Sequence, residues 1–255
     1  MLRTSGLAER LASIGGHTGV YIKNLATGEV FAHHETDPIE AASVIKIPVM
    51  IEAFRQEAAG LLRLSEIHVL RDEERLPSCG TLKAMHEGIP MTLLDLVKLM
   101  IIVSDNAATN ILIRRLGMEN INRTIEALNL GSTWLNRLLF DAEAAARGVI
   151  NMVSALDMAR LLEGLYKGQI VTPEASRQMF DILLDQRLNG KLPFFTHVHD
   201  IRLAHKTGED DRLTHDVGIF LTEEPILCCM LGEHVDAPEY ERLMQDTGRM
   251  LCGLN

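Results

Sequence analysis

The chain of 255 residues is poor in aromatic residues and lacks a long hydrophobic run. Phe, Trp and Tyr make up only 4% of the residues, which argues against a platform that stacks nucleic-acid bases. The longest apolar runs, 99–103 and 226–231, are far shorter than the roughly 20 residues of a membrane-spanning helix. We therefore expect no nucleic acid and no membrane as partners.

The chain is also short of positive charge and of cysteine. Its 25 Lys and Arg residues are outnumbered by 35 Asp and Glu, and the resulting net charge of −10 disfavours binding to nucleic acids and anionic lipids. The four cysteines have no C-x-x-C spacing, and the adjacent Cys228 and Cys229 in an apolar run are typical of buried thiols on a strand. Since residues 1–16 lack the apolar core of a signal peptide, we expect a cytoplasmic protein, or an exported one if a leader was removed.

The chain is long enough for one large domain. Strand patterns lie near its two ends and helical patterns lie in its middle. Residues 18–34 predict a β-hairpin, and 201–206, 215–222 and 226–232 predict an antiparallel meander. The middle of the chain has helical periodicity instead. Helices are predicted at 44–59, about 106–117 and about 119–129, and after the capping residues Thr92, Ser154, Thr172 and Asp236.

Because predicted strands lie near both ends of the chain, the first hairpin must pair with strands near the carboxyl terminus. We therefore predict an α/β (α+β) fold, in which an antiparallel β-sheet is flanked by helices and carries an inserted all-helical subdomain. The sheet subdomain would comprise 1–60 and 195–255, and the helical subdomain 61–194, within a single domain that spans 1–255.

Ser43 and Lys46 form an S-x-x-K pair at the start of a predicted helix. Residues three apart share a helical face, so the Lys46 amine can reach the Ser43 hydroxyl. A serine needs a base to become a nucleophile, and a partly buried lysine beside another cation can have its pKa lowered enough to act as one. The alternative is a capping serine followed by a surface lysine. Pro48, five residues after Ser43, predicts an irregular first turn.

Two further short motifs carry hydroxyl, amide and amine groups. Ser104-Asp105-Asn106 falls at the break between two predicted helices, where it either presents a hydroxyl and an amide to a cleft or caps the second helix. Lys206-Thr207-Gly208 falls at the end of a predicted strand, which either pairs with an extended substrate or simply ends in a glycine turn.

The order and spacing of these motifs carry more information than any one of them. S-x-x-K, S-D-N and K-T-G, 61 and 102 residues apart, resemble the signature of class A β-lactamases and penicillin-binding proteins. The segments 86–113, 151–165 and 215–221 also look like segments of this family. The chain is thus similar to the class A β-lactamase-like serine hydrolases over nearly its whole length.

The resemblance implies a role for each matched residue. Ser43 would be the acylated nucleophile and Lys46 its base, while Ser104, helped by Lys206, would pass a proton to the leaving group. The backbone N–H groups of Ser43 and Glu209 would form the oxyanion hole. No metal and no organic cofactor is implied, and the expected partner is a small-molecule substrate. The residues expected to bind that substrate are Asn106, Thr207, Gly208 and Glu209.

Two departures from the family pattern bear on the expected activity. Class A enzymes carry a glutamate in an E-x-x-L-N loop that activates the deacylating water, and the segment 131–151 has no such sequence. Its carboxylates Asp141 and Glu143 are either the deacylation base or loop surface residues. Residues 209–211, all acidic, also disfavour a carboxylate beside the scissile bond, and so favour a neutral or cationic substrate.

Four histidines near the last strands are candidates for a metal site: His197, His199, His205 and His215. No cysteine or carboxylate completes a tetrahedral ligand pattern, so no metal is predicted. His215 is either a base or substrate contact beside Lys206, or a packed strand residue.

The leading interpretation is a serine hydrolase that forms an acyl-enzyme on an amide or ester, and weak β-lactamase activity is compatible with it. The alternatives are a penicillin-binding-protein-like DD-peptidase or esterase with slow deacylation, and a non-catalytic receptor for β-lactams or peptides. The missing deacylation glutamate and the lack of a visible leader both point away from a dedicated resistance enzyme.

Overall fold

The structure, a computed structural model, describes residues 2–76, 79–196 and 199–254, so His197 lies outside the described residues. The helices are α1 (Leu7–Ser13), α2 (Lys46–Ala58), α3 (Leu93–Ile102), α4 (Asn106–Leu116), α5 (Met118–Ala127), α6 (Ala142–Ala146), α7 (Ala155–Tyr166), α8 (Pro173–Leu184) and α9 (Ala237–Leu251). The strands are β1 (His17–Asn24), β2 (Val30–His33), β3 (Ile39–Glu40), β4 (Ile67–Val69), β5 (Pro90–Thr92), β6 (Met152–Val153), β7 (Leu203–Asp210), β8 (Leu213–Phe220) and β9 (Ile226–Glu233).

A five-stranded antiparallel sheet in the order β2-β1-β9-β8-β7 is the centre of the fold. The predicted pairing of the first hairpin with the last strands is confirmed, since β1 lies beside β9 with Ile22 opposite Cys228. The predicted mixed α/β class, with an antiparallel sheet flanked by helices, is confirmed as well. The division into subdomains at residues 61 and 194 stays a prediction.

Two hydrophobic cores cover the two faces of the sheet, because successive strand residues point to opposite faces. Ile22 and Met230 pack with α1 and α9 around Leu11 and Leu243. Leu231, on the other face, belongs to the larger core that α2, α3, α4, α7 and α8 build. The strand β9 is thus buried on both faces, which explains why its sequence is a continuous apolar run that includes the two predicted buried cysteines.

The predicted capping residues begin their helices in the structure. The side chains of Thr92, Ser154, Thr172 and Asp236 each accept a hydrogen bond from the backbone N–H three residues later. Sequence analysis missed the short helices α1 and α6. Among the described residues, no helix has both the length and the hydrophobicity to cross a membrane.

The K-T-G segment corrects one expectation. Lys206-Thr207-Gly208 lies in the middle of β7 and not at the end of a strand, because β7 continues to Asp210, which pairs with Leu213 across a tight turn. β7 is the last strand of the sheet, so one of its edges is not covered by another strand of that sheet. The turn that holds Ser43 packs against β7, as the close approach of Gly208 to the Ala42 side chain shows.

Candidate active site

Ser43 lies in a short 3-10 turn, Ala42–Ile45, which is the irregular turn predicted before α2. Ala42 has a φ of +40°, a strained conformation for a residue other than glycine that persists only where surrounding structure imposes it. Pro48 falls in the first turn of α2, where its missing N–H has no helical acceptor to lose. Ser43 itself is 8% exposed, so its hydroxyl is largely shielded from bulk water.

Lys46 is completely buried three residues after Ser43. Its Nζ donates to the carbonyl oxygen of Ser104 at 2.8 Å, to the Ser104 Oγ at 3.0 Å and to the Asn106 Oδ1 at 2.6 Å. Burial lowers the pKa of Lys46 to about 7, although Cys79 and Asp105 oppose this shift. An amine with this pKa accepts a proton readily near neutral pH.

The hydroxyl of Ser104 lies between two lysines. Its Oγ is 3.0 Å from the Nζ of Lys46 and 3.0 Å from the Nζ of Lys206. Lys206 is fully buried, and burial, followed by the charges of Lys46 and Lys191, holds its pKa well below the usual value for lysine. Since a hydroxyl both donates and accepts, Ser104 can accept a proton from one neighbour while it gives its own to another group.

Asp105 has the capping role that sequence analysis kept as the alternative, and it also fixes a second loop. Its Oδ1 accepts from the Ala108 N–H at 2.9 Å, which begins α4. Its Oδ2 accepts from the backbone N–H groups of Thr81 and Leu82 at 2.6 and 2.8 Å. At Gly80, with φ +110°, a Cβ would lie 2.4 Å from this carboxylate, so glycine is required there.

That loop brings Cys79 to the cleft. The Asn106 Nδ2 donates to the Cys79 Sγ at 3.3 Å, so one amide side chain contacts both the thiol and, through its Oδ1, Lys46. Cys79 then lines a cavity of about 300 Å³ together with Ser43, Ser104 and Thr207.

Gly208 is the glycine of the K-T-G segment, and its lack of a side chain is a packing requirement. A Cβ there would lie 2.8 Å from the His215 Cδ2 and 3.3 Å from the Ala42 Cβ. His215 is buried, accepts from the Gly232 N–H at its Nδ1, and therefore donates from Nε2 to the Glu40 carbonyl oxygen at 2.8 Å. Burial lowers its pKa to about 4. His215 is thus a neutral, packed strand residue and not a base.

Lys191 is a buried residue near the site that sequence analysis missed. Its Nζ donates to the Gly208 carbonyl oxygen at 2.8 Å and lies 3.1 Å from a carboxylate oxygen of Glu209 and 3.7 Å from one of Glu241. A lone lysine in the segment between α8 and β7 belongs to no motif. What marks Lys191 as important is its burial, and the sequence alone does not show that burial, because it arises only in the tertiary structure.

A second cavity, of about 260 Å³, is also lined by Ser43. Asp141 lines it, and the Asp141 Oδ1 also accepts from the Ala144 N–H at 2.9 Å to begin α6. Glu143 does not line it: its side chain is 88% exposed and pairs with Arg147. The structure therefore brings only one of the two candidate deacylation carboxylates to the cavity.

Leu139 occupies a defined place in the wall of this cavity, which Ser43 and Asn106 also line. The Asn110 Nδ2 donates to the Leu139 carbonyl oxygen at 2.8 Å, and the Leu139 N–H donates to the Asn110 Oδ1 at 2.9 Å. One buried amide side chain from α4 thus holds both backbone groups of Leu139. The wall of the cavity therefore has the apolar side chain of Leu139 at a position whose backbone is fixed by two hydrogen bonds.

The same cavity is rich in carboxylates. Glu40, Glu209 and Asp210 line it with Asp141, and Arg137, 3.3 Å from Glu40, is the single basic residue among the described residues of the lining. Of the other candidates, His205 pairs with Asp216 at 2.8 Å within the buried sheet, and His199 is not among the cavity residues.

The sheet order and the flanking helices define the fold class, which is that of β-lactamases and transpeptidases. The chain belongs to the β-lactamase enzyme family, whose sequence profile matches residues 3–253. It is 27% identical over 259 residues to a β-lactamase of Rhodobacter capsulatus, an alignment that covers 97% of this chain and 88% of the relative. Membership places it among hydrolases of the serine β-lactamase and penicillin-binding-protein type.

Two solved structures illustrate the similarity. The crystal structure of a β-lactamase from Sphaerobacter thermophilus has 30% sequence identity and a TM-score of 0.90, over 97% of this chain and 95% of that one. A mutant of PBP-A in an acyl-enzyme complex with penicillin G has 25% identity and a TM-score of 0.86, over 98% and 94% of the two chains.

Proposed function

We propose that this protein is a serine hydrolase that forms an acyl-enzyme at Ser43 on a small amide or ester. The observation that carries the proposal is the position of the Ser104 Oγ, 3.0 Å from both Lys46 and Lys206, in the cleft that Ser43 lines. Two buried amines and a hydroxyl form a path for protons that a merely structural arrangement does not need. The substrate is a small molecule, as for the β-lactamase and penicillin-binding relatives.

Acylation begins when neutral Lys46 takes the proton of the Ser43 hydroxyl and the Ser43 Oγ bonds to the substrate carbonyl carbon. The oxygen that becomes negative accepts hydrogen bonds from the backbone N–H groups of Ser43 and Glu209. Lys46 then returns the proton through Ser104 to the leaving nitrogen or oxygen, the bond to the leaving group breaks, and the acyl group stays on Ser43. Lys206, which donates a hydrogen bond to the Ser104 Oγ, holds that hydroxyl in place for the transfer, while Asn106 and Thr207 orient the substrate.

Deacylation needs a water molecule and a base that removes its proton. Of the two candidate bases, Asp141 lines the cavity, but one of its oxygens is engaged in capping α6. Leu139, held by Asn110 beside Ser43, has no basic atom. The apolar residue at position 139 favours a second candidate function, because slow deacylation lets the acyl-enzyme accumulate. This function is that of a penicillin-binding-protein-like DD-peptidase or esterase.

The carboxylates around the cavity support a substrate that is neutral or positively charged near its scissile bond. Glu40 is paired with Arg137 and Glu209 lies near Lys191, whereas Asp210 is exposed at the mouth. A substrate carboxylate placed there would meet like charge, which raises the free energy of the complex.

Covalent labelling tests the nucleophile. The purified protein is incubated with a fluorescent penicillin and, separately, with a fluorophosphonate probe, and adducts are followed by gel fluorescence and intact mass. We expect one adduct per chain on the native protein and on Ser65→Ala, which changes an exposed serine outside the cleft. Ser43→Ala should carry none, and equal labelling of Ser43→Ala would contradict the proposal.

The time course separates the candidate functions. A burst of product followed by a very slow steady state indicates accumulation of the acyl-enzyme. Sustained turnover on an ester panel indicates an efficient hydrolase with a functional deacylation base. Reversible, stoichiometric binding without any adduct would instead support a receptor and contradict an enzymatic role.

A further inference from the structure

A group of imidazole and carboxylate side chains lies outside the cleft, where β1 begins and β2 ends. His17 is the first residue of β1, His34 follows β2, and Asp37 lies in the turn that leads to β3. One potential ligand atom from each of the three lies within 4.8 Å of the other two. The rings of His17 and His34 are stacked with centroids 5.6 Å apart, so one imidazole from the start of β1 and one from just after β2 lie side by side.

The distances fit a metal ion of ordinary size. Zinc binds imidazole nitrogen and carboxylate oxygen at about 2.0–2.2 Å, which puts neighbouring ligand atoms of a tetrahedral site about 3.3 Å apart. The His17 Nε2 and the Asp37 Oδ2 are already 3.3 Å apart. A small rotation of the exposed His34 ring closes the remaining gap of about an ångström or two.

The backbone that carries these side chains is held in place. The Asp37 N–H donates to the His34 carbonyl oxygen at 3.2 Å, and the carbonyl groups of 35–36 accept from the Leu156 N–H and the Ser132 hydroxyl, both at 2.8 Å. His34 has a φ of +45°, a conformation that this anchored turn imposes. Ligands on a fixed backbone need little reorganisation to bind an ion.

We propose that His17, His34 and Asp37 form a binding site for one divalent transition-metal ion. Two imidazoles and one carboxylate suit Zn²⁺, Ni²⁺, Cu²⁺ or Fe²⁺, whereas Ca²⁺ and Mg²⁺ prefer sites built from oxygen ligands. Three protein ligands leave a coordination position for water. None of the three residues lines the two cavities beside Ser43, so the site is independent of the proposed hydrolase function.

The ion would join the open end of the β1–β2 hairpin to the segment that leads to the nucleophile. Asp37 lies six residues before Ser43, and β3 is the only regular element between them in the described structure. A ligand that binds the folded chain and not the unfolded one stabilises the fold in proportion to the logarithm of its concentration. The expected consequence is a metal-dependent rise in thermal stability.

Isothermal titration of the metal-free, full-length protein with Zn²⁺ tests the site. We expect one saturable site, and we expect His34→Ala and the isosteric Asp37→Asn to weaken binding at least tenfold, as loss of a ligand typically does (about 10–100-fold even for supporting residues). His86→Ala and Cys79→Ser, which remove an exposed imidazole and an exposed thiol elsewhere, should bind as the native protein does.

Thermal unfolding gives a second readout. Zn²⁺ should raise the unfolding midpoint of the native protein and of His86→Ala, but not that of His34→Ala, whose fold is checked by circular dichroism without metal. The proposal is overturned if no saturable binding occurs, if His34→Ala and Asp37→Asn bind as tightly as the native chain, or if binding disappears in Cys79→Ser instead. Loss of labelling at Ser43 would not affect these results, so the two proposals fail separately.

Discussion

Lys191 donates a hydrogen bond of 2.8 Å from its buried ammonium group to the carbonyl oxygen of Gly208. That carbonyl belongs to the same peptide unit as the N–H of Glu209, the second donor of the proposed oxyanion hole. In a trans peptide the C=O and N–H groups are conjugated and point in opposite directions. A cation on the oxygen side therefore makes the N–H a better donor and holds it aimed away from Lys191. We infer that Lys191 is a positioning residue for acylation.

Replacing Lys191 tests this role. Lys191→Met should slow covalent acylation by penicillin about tenfold while the affinity of the initial non-covalent complex stays nearly unchanged, because the oxyanion forms only after the complex does. Loss of a complete oxyanion donor costs about 10²–10³ in rate, and a weakened donor costs less. Stopped-flow measurements separate the two constants.

Two variants control for a purely structural effect. Lys191→Arg keeps the charge and should restore much of the acylation rate. Glu241→Gln alters a carboxylate 3.7 Å from Lys191 but leaves the bond from Lys191 to the Gly208 carbonyl oxygen available, and it should change the rate little. Equal losses in initial binding and in the chemical step would argue against the positioning role.

A glutamate at position 139 should accelerate deacylation. Leu139 lines the cavity beside Ser43, and Asn110 holds both of its backbone groups, so a carboxylate there has a fixed origin. General bases contribute about 10²–10⁴ to such steps, and we expect at least tenfold faster turnover of a chromogenic β-lactam by Leu139→Glu. Leu139→Gln has nearly the same shape without a base and should not turn over faster; equal gains in both variants would refute the explanation.

The rate of acylation should rise with pH around neutrality. Burial lowers the pKa of Lys46 to about 7, and only its neutral form accepts the Ser43 proton. Below that pH the second-order rate constant should fall about tenfold per pH unit, and above it the constant should level off. Labelling rates between pH 5.5 and 9 provide the test, and a profile that is flat across this range would exclude Lys46 as the base.

Folding stability should depend on pH through the same lysine. The pKa of Lys46 falls from 10.5 to about 7 on folding, so between these values the unfolded chain binds more protons and the free energy of unfolding rises with pH. The contribution of one group is at most about 1.4 kcal/mol per pH unit. Urea unfolding from pH 7.5 to 9.5 should show this slope in the native protein and a smaller slope in Lys46→Met, whereas Lys98→Met, at an exposed site, should match the native slope.

Charge at the cavity mouth should control the reaction with anionic substrates. Asp210→Lys removes a carboxylate near the cleft and should raise the acylation rate by penicillin several-fold at low ionic strength, an advantage that salt reduces. Glu223→Lys makes the same charge change in the turn between β8 and β9, outside the cavities, and serves as the control. Equal effects of both variants would show that the net charge of the protein, and not the charge at the cavity mouth, controls the acylation rate.

Local features of the fold were predictable because they depend on neighbouring residues. Thr92 and Asp236 are capping residues in the sequence and in the structure, and the hairpin and the meander lie where alternation and turn residues predict them. The K-T-G segment was misplaced at a strand end, since only pairing with β8 extends β7 to Asp210. The helix α6 was missed because five residues with one cap produce too weak a periodic pattern.

The identity of most site residues was predictable from the sequence, whereas the contacts among them were less so. Ser43, Lys46, Ser104 and Lys206 were found from motifs, and the structure brings the last three into one hydrogen-bonded group. Lys191 and the bond pair between Asn110 and Leu139 were not found, because each depends on contacts between segments 17 to 29 residues apart that carry no motif.

By itself, the sequence determined which chemical groups are available, their order along the chain, the helix and strand pattern and the resemblance to a family of serine hydrolases. Only the tertiary structure decided which groups meet and in what state. Ser104 lies between two lysines that are 58 and 102 residues away from it, and the low pKa of each lysine follows from its burial. Proton affinity depends on desolvation and nearby charge, and both arise only when distant segments pack together.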